Sequence, residues 1–168
     1  NTDSTNSVNL NGWRINDHVI TDEVIVPPRS LYLIAQSEGS FFNSDGEPLE
    51  PGIDIPNSYS LPGFSLGTND DQILLLNADL DTIDFIYYNT SSGWPVGNSN
   101  RGHALELDDY YHNNELLEYW VSSSAASPYM YDIDGNLENY GTPLQKNSNY
   151  SGNEIDCAGT LFGTAYID

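Results

Sequence analysis

Three histidines, one cysteine and several groups of carboxylates are the residues of this chain with chemistry to offer. The densest group is Asp132-Ile133-Asp134-Gly135-Asn136 with Glu138, which sets four oxygen side chains at alternate positions around a glycine. Hard cations take oxygen ligands at such a spacing, so Asp132, Asp134, Asn136 and Glu138 are the candidate metal ligands and Ca2+ the candidate ion. The group is not a full EF-hand loop, and a plain Asp-Gly turn between two extended segments accounts for the same residues. Asp79 and Asp81 with Asn77, and the pair Asp108-Asp109, read as solvated turns. His18, His103 and His112 fall in three separate segments. No Ser or Cys stands in a nucleophile-elbow setting and no two histidines have metal-ligand spacing. Cys157 follows Asp156, and a neighbouring anion opposes formation of the reactive thiolate. The expectation is a protein that is not an enzyme and requires no cofactor.

The elements that hold these residues are short and strand-like. The clearest is a hairpin from Asn69 to Tyr88: Ile73-Leu74-Leu75-Leu76, a mostly polar link Asn77 to Thr82, then Ile83-Asp84-Phe85-Ile86-Tyr87-Tyr88. The first run is apolar on both faces, so it lies in the middle of a sheet with cover on either side. Upstream come Val8 and Leu10, Gly12 to Ile15, Val24 to Val26 stopped by Pro27-Pro28, and Leu31 to Ala35. Downstream are strands around His103 to Leu107 and Tyr119 to Val121. No window shows apolar spacing of three and four over ten residues, so helices are scarce. The fold class is all-β, a β-sandwich with long loops. Its expected core is Trp13, Ile73, Leu75, Phe85, Trp94, Leu105 and Trp120. Gln36 to Pro62, long and polar with Phe41-Phe42 as an apolar pin, reads as an insertion.

Composition narrows the function classes. With 168 residues, 4 basic against 25 acidic, the formal charge is -21, which repels a phosphate backbone and excludes nucleic acid as a partner. An apolar content of 38%, with 12 Tyr, 5 Phe and 3 Trp, is more than a disordered acidic tail carries, so the chain folds. The single cysteine cannot form an internal disulfide, and no run reaches the roughly 18 apolar residues of a membrane span. So many carboxylates on one small domain repel each other, and bound cations or salt stabilise it. Asn89-Thr90-Ser91 and Asn149-Tyr150-Ser151 fit the glycosylation acceptor pattern.

The order of motifs resembles a known family. Val8-Asn9-Leu10-Asn11-Gly12-Trp13-Arg14-Ile15, then Leu31-Tyr32-Leu33-Ile34-Ala35 after a proline pair, then Asp71-Gln72-Ile73 opening the hairpin, are similar to the lamin tail domain. Asp84, Trp94-Pro95, Ala104-Leu105-Glu106-Leu107, Tyr119-Trp120-Val121 and Gly141-Thr142-Pro143 with Asn147 continue the likeness to its bacterial members, over residues 1–147. The resemblance implies an immunoglobulin-like β-sandwich whose usual first strand would precede Asn1. Without it a sheet edge or apolar groove is left open, a route to homo-oligomers. Residues 148–168 are then a linker or tail. Within them Thr160 to Ile167 is strand-like, either a strand that substitutes or is swapped, or the start of a next β-repeat.

The resemblance and the lack of a reactive constellation lead to the same expectation: a non-catalytic binding or tethering module of a secreted or cell-surface multidomain protein. Its partner would be a protein, a glycan or a cell-envelope component. Two alternatives are a calcium-dependent glycan-binding domain, with Trp94, Tyr110 and Tyr111 as a sugar platform, and an accessory domain of a larger secreted hydrolase.

Overall fold

A computed structural model describes residues 1, 3, 5–36, 41–95, 102–125, 128–129, 131–137 and 140–150. Among them the regular structure is β, apart from two single-turn 3-10 helices, Thr90–Ser92 and Leu117–Tyr119. The strands in chain order are β1 (Val8–Asn9), β2 (Arg14–Ile15), β3 (His18–Val19), β4 (Ile25–Val26), β5 (Leu33–Ala35) and β6 (Phe41–Phe42). They continue with β7 (Pro48–Leu49), β8 (Ser58–Ser60), β9 (Asp70–Leu76), β10 (Thr82–Asn89), β11 (Leu105–Leu107) and β12 (Trp120–Ser122). The all-β expectation holds. Pairing among the described residues falls into one four-stranded sheet, β10-β9-β2-β3, and the pairs β1-β4, β5-β8, β6-β7 and β11-β12.

The hairpin organises the main sheet. β9 pairs antiparallel with β10, Ile73 opposite Ile86 and Leu75 opposite Asp84, with an irregularity between Thr82 and Asp84. Its other side pairs with β2, Ile15 opposite Leu75. β9 is therefore an inner strand, as its run of Ile73 to Leu76 requires, and all four side chains are half-buried. Asn16 lengthens the β2 side: its Nδ2 donates to the Gln72 carbonyl and its Oδ1 accepts from the Leu74 N–H, both at 2.9 Å. Its side-chain amide thus takes the place of one more strand peptide.

Two apolar clusters cover the inner face of this sheet. Ile15, Ile20, Val24 and Leu61 form one, with Leu10, Trp13, Tyr32, Ile34, Ile73 and Leu75 packed on it. Ile86, Tyr88 and Trp94 form the other, with Ile73, Leu105, Leu117 and Trp120 against them. Trp94 and Trp120 meet at 5.8 Å between ring centroids, tilted by 44°. Six of the seven expected core residues therefore lie in these clusters. Phe85 does not: it is 36% exposed. Side chains alternate along a strand, and with Ile86 and Tyr88 buried, Phe85 must point outward.

The long polar stretch after Ala35 is also not a mere insertion. Ile55 and Leu61 within it are almost fully buried, and β8 pairs in parallel with β5, Ile34 opposite Tyr59. Ser58, buried beside them, donates to the Ile55 carbonyl and accepts from the Gly52 N–H, at 2.6 and 2.7 Å. That closes the loop on itself and seats Ile55 inside. No helix among the described residues is long and apolar enough to cross a membrane.

Candidate functional site

The carboxylate group singled out from sequence folds as a turn. Asp132 Oδ1 accepts from the backbone N–H of Asp134 and of Asn136, at 2.9 and 2.7 Å, and Asn136 Nδ2 donates to Asp132 Oδ2 at 3.2 Å. The Asn136 N–H chiefly holds the Asp132 carboxyl below its ordinary range. Gly135 takes the left-handed conformation, φ 76°, that closes the turn. Asp134 and Asn136 are exposed, and Glu138 lies outside the described residues.

The same device recurs twice. Asn43 Oδ1 accepts from the N–H groups of Asp45 and Glu47, with Gly46 at φ 76°. In the main hairpin Asn77 Oδ1 accepts from Asp79 and Asp81, and the left-handed position is filled by Leu80, φ 68°. The turns at Gly46 and Gly135 pack on each other: a Cβ on Gly46 would stand 2.2 Å from the Ile133 carbonyl oxygen, and one on Gly135 2.6 Å from that of Ser44. Side-chain capping of backbone N–H groups accounts for the Asx-rich spacing at all three sites. Among the described residues no group of three His, Cys, Asp or Glu could hold a metal ion.

The histidines serve three separate places. His18 lies edge-on to Phe64 at 6.0 Å, and its buried Nδ1 has no hydrogen-bond partner. His103 stacks on Tyr140, with Nδ1 2.6 Å from the Ser123 carbonyl oxygen. His112 sits 2.8 Å from the Asp108 carboxylate and stacks on Tyr119. The aromatic platform expected for a sugar does not form as one row. Trp94 is buried, Tyr110 packs at a tilt of 34° against Tyr150, and of the three only Tyr111 is exposed. Both acceptor-pattern asparagines are engaged: Asn89 Oδ1 accepts from the Ser91 N–H, and Asn149 Nδ2 donates to the Ser122 carbonyl.

Sequence reasoning missed a buried carboxylate. Glu106, 4% exposed on β11, accepts from Thr142 Oγ1 at 2.7 Å through one oxygen and from Ser148 N and Oγ at 2.8 and 2.6 Å through the other. Asn147 Nδ2 donates to the Leu107 carbonyl at 2.8 Å. Together they clasp the segment from Thr142 to Ser148 onto β11. The alternation Leu105-Glu106-Leu107 was the available signal, and it points Glu106 opposite to its two leucine neighbours.

Large apolar side chains are exposed at several places, Ile53 and Ile133 most of all, and one group of four lies on the hairpin. Leu80, Ile83, Phe85 and Tyr87 are 58, 49, 36 and 47% exposed on a surface otherwise rich in Asp and Glu. A cleft of about 630 Å³, which Ile83 also lines, enters the core between Ile73, Leu75 and Ile86 on one wall and Val8, Val26 and Ile34 on the other. Comparison of the chain with family models, with curated proteins and with solved structures gives no match.

Proposed function

We propose that the chain is a non-catalytic binding or tethering module of a secreted or cell-surface protein, an immunoglobulin-like sandwich of the lamin-tail type that contacts protein or envelope components. The observation that carries this reading is the outward apolar face of the hairpin, with Phe85 and Tyr87 at its centre. Exposed large apolar side chains grouped together on a strongly charged surface mark an interaction site, because their contact with water is unfavourable until a partner covers them. Aromatic side chains on a rigid sheet lose little conformational freedom on binding and commonly dominate interface energies. The polar residues support the same reading, since Asp132, Asn43, Asn77 and Glu106 are each occupied in closing the fold.

The test is direct binding of the fluorescently labelled full chain to intact cells and isolated envelopes of the source organism. Saturable binding is expected, weakened about tenfold or more by the pair Phe85→Ser and Tyr87→Ser, which equals about 1.4 kcal/mol. Unchanged tryptophan emission would show that the variant is folded. No saturable binding, or equal binding by the variant, overturns the proposal.

A further inference from the structure

Beside the Glu106 clasp lies an open cavity of about 300 Å³. Its polar side is Glu106, Thr142 and Asn147, and its apolar walls come from Phe41, Ala104 and Pro143. Glu106 is buried with no cation against it: among the described residues its donors are the Thr142 hydroxyl and the N–H and hydroxyl of Ser148, all neutral. Neutral donors lower the cost of burying a carboxylate but leave its charge uncompensated. The clasp uses the acceptor oxygens of Glu106 and leaves its negative charge unanswered.

The hydrogens at this spot are also too few for the oxygens. The Thr142 hydroxyl carries one hydrogen, which goes to Glu106 Oε1 at 2.7 Å, so it has none left for Asn147 Oδ1 at 3.4 Å. Asn147 Nδ2 donates to the Leu107 carbonyl at 2.8 Å, which fixes the other end of that amide as the oxygen. Glu106 Oε1, Thr142 Oγ1 and Asn147 Oδ1 therefore form a chain of oxygens with acceptor capacity to spare, one of them charged.

We propose that this cavity binds a primary alkylammonium group, the end of a free aliphatic amine or of a lysine side chain. An ammonium brings three donors and no acceptor, the complement of these oxygens, together with the positive charge that Glu106 lacks. The alkyl stem then lies against Phe41, Ala104 and Pro143, as the stems of long cationic side chains lie along apolar surface. A metal ion fits less well. It would leave those apolar walls in water, and no group of three His, Cys, Asp or Glu among the described residues could hold one. The formal charge of -21 attracts cations to the whole surface, so selectivity has to come from the donors and the stem. The site shares no residue with the apolar face of the hairpin and stands independently of what that face binds.

The test is an NMR titration of the full chain in about 0.15 M sodium chloride, which screens the general attraction of cations to the surface. n-Butylammonium chloride should shift the amide resonances of Leu105, Glu106, Thr142 and Asn147 saturably and leave those from Leu80 to Tyr87 unmoved. n-Butanol has the stem without the charge, and tetramethylammonium has the charge without N–H donors. Each should bind more weakly by about tenfold or more, the cost of losing a hydrogen bond to a charged group. Nα-acetyl-lysinamide binding as tightly as n-butylammonium identifies lysine as the source of the group, and its exclusion identifies a free amine. Glu106→Gln should weaken n-butylammonium by about tenfold or more. Because that variant also loses stability, Ala104→Leu, which fills the cavity without changing the carboxylate, should abolish the shifts while the hairpin resonances stay in place. No saturable shift at these amides, equal binding of tetramethylammonium, or full binding by Ala104→Leu overturns the proposal. So does displacement of n-butylammonium by an equal concentration of calcium chloride, which would make the cavity a metal site.

Discussion

Around Ile20 the fold is closed mainly by apolar side chains, whereas around Glu106 it is closed by hydrogen bonds to one buried carboxylate. Ile20 and Leu61 are almost fully buried with Ile15 and Val24, and the side chains packed on them are aliphatic or aromatic. At the clasp, Thr142 and Ser148 converge on Glu106 while Asn147 holds the Leu107 carbonyl. The first kind of closure depends on volume and is indifferent to direction. The second depends on each donor meeting its acceptor, and so tolerates less change of chemistry at constant shape. The same chain thus holds its hairpin by burial and the segment up to Tyr150 by directed polar contacts.

The contrast breaks if the two sites respond alike to substitution. Ile20→Ala should cost about 4 kcal/mol in urea unfolding, and Ile20→Val about 1 kcal/mol, a response graded by volume. Glu106→Gln is nearly isosteric, yet it turns one acceptor oxygen into an NH2 that faces the donors of Ser148 or Thr142. An unsatisfied buried donor costs about 1–3 kcal/mol, so Glu106→Gln should lose about 2 kcal/mol although no volume changes. A loss below about 0.5 kcal/mol would mean that Glu106 acts by shape, and the distinction would collapse.

That distinction also explains what was legible in the sequence. Apolar runs of strand length locate the hairpin, its inner strand and most of the core, because burial of Ile73, Leu75 and Trp94 leaves a local pattern. Phe85 was misplaced because a strand with apolar residues at consecutive positions does not announce which set faces in. Ile55 and Leu61 were missed because they sit in a polar, Pro- and Gly-rich stretch whose folding depends on Ser58 and on pairing with β5. The Asp132 group was legible as a turn, since an Asx residue two and four positions before the N–H groups it accepts is a local motif. The clasp was not, because Glu106 and Ser148 meet only through the tertiary fold.

The smallest effect tests whether polar closure extends to the neighbouring loop. His112 is hydrogen-bonded to Asp108 across one turn of chain and stacked on Tyr119 at 4.1 Å. That hydrogen bond, aided by the charges of Asp108 and Asp109, raises the imidazole pKa above its ordinary 6.5. A raised pKa in the folded state means that folding favours the protonated ring. The stabilisation is therefore fully present below pH 6.5, the unfolded value, and disappears as pH climbs through the higher folded value. Melting temperatures of the parent and His112→Gln should differ most below that pH and converge above the folded pKa. The site lies at the surface, so the difference should shrink in salt as well. NMR titration of the His112 ring gives the folded midpoint directly. A midpoint at or below 6.5, or a melting difference that grows with pH, would mean that the polar closure at Glu106 does not extend to the His112 loop.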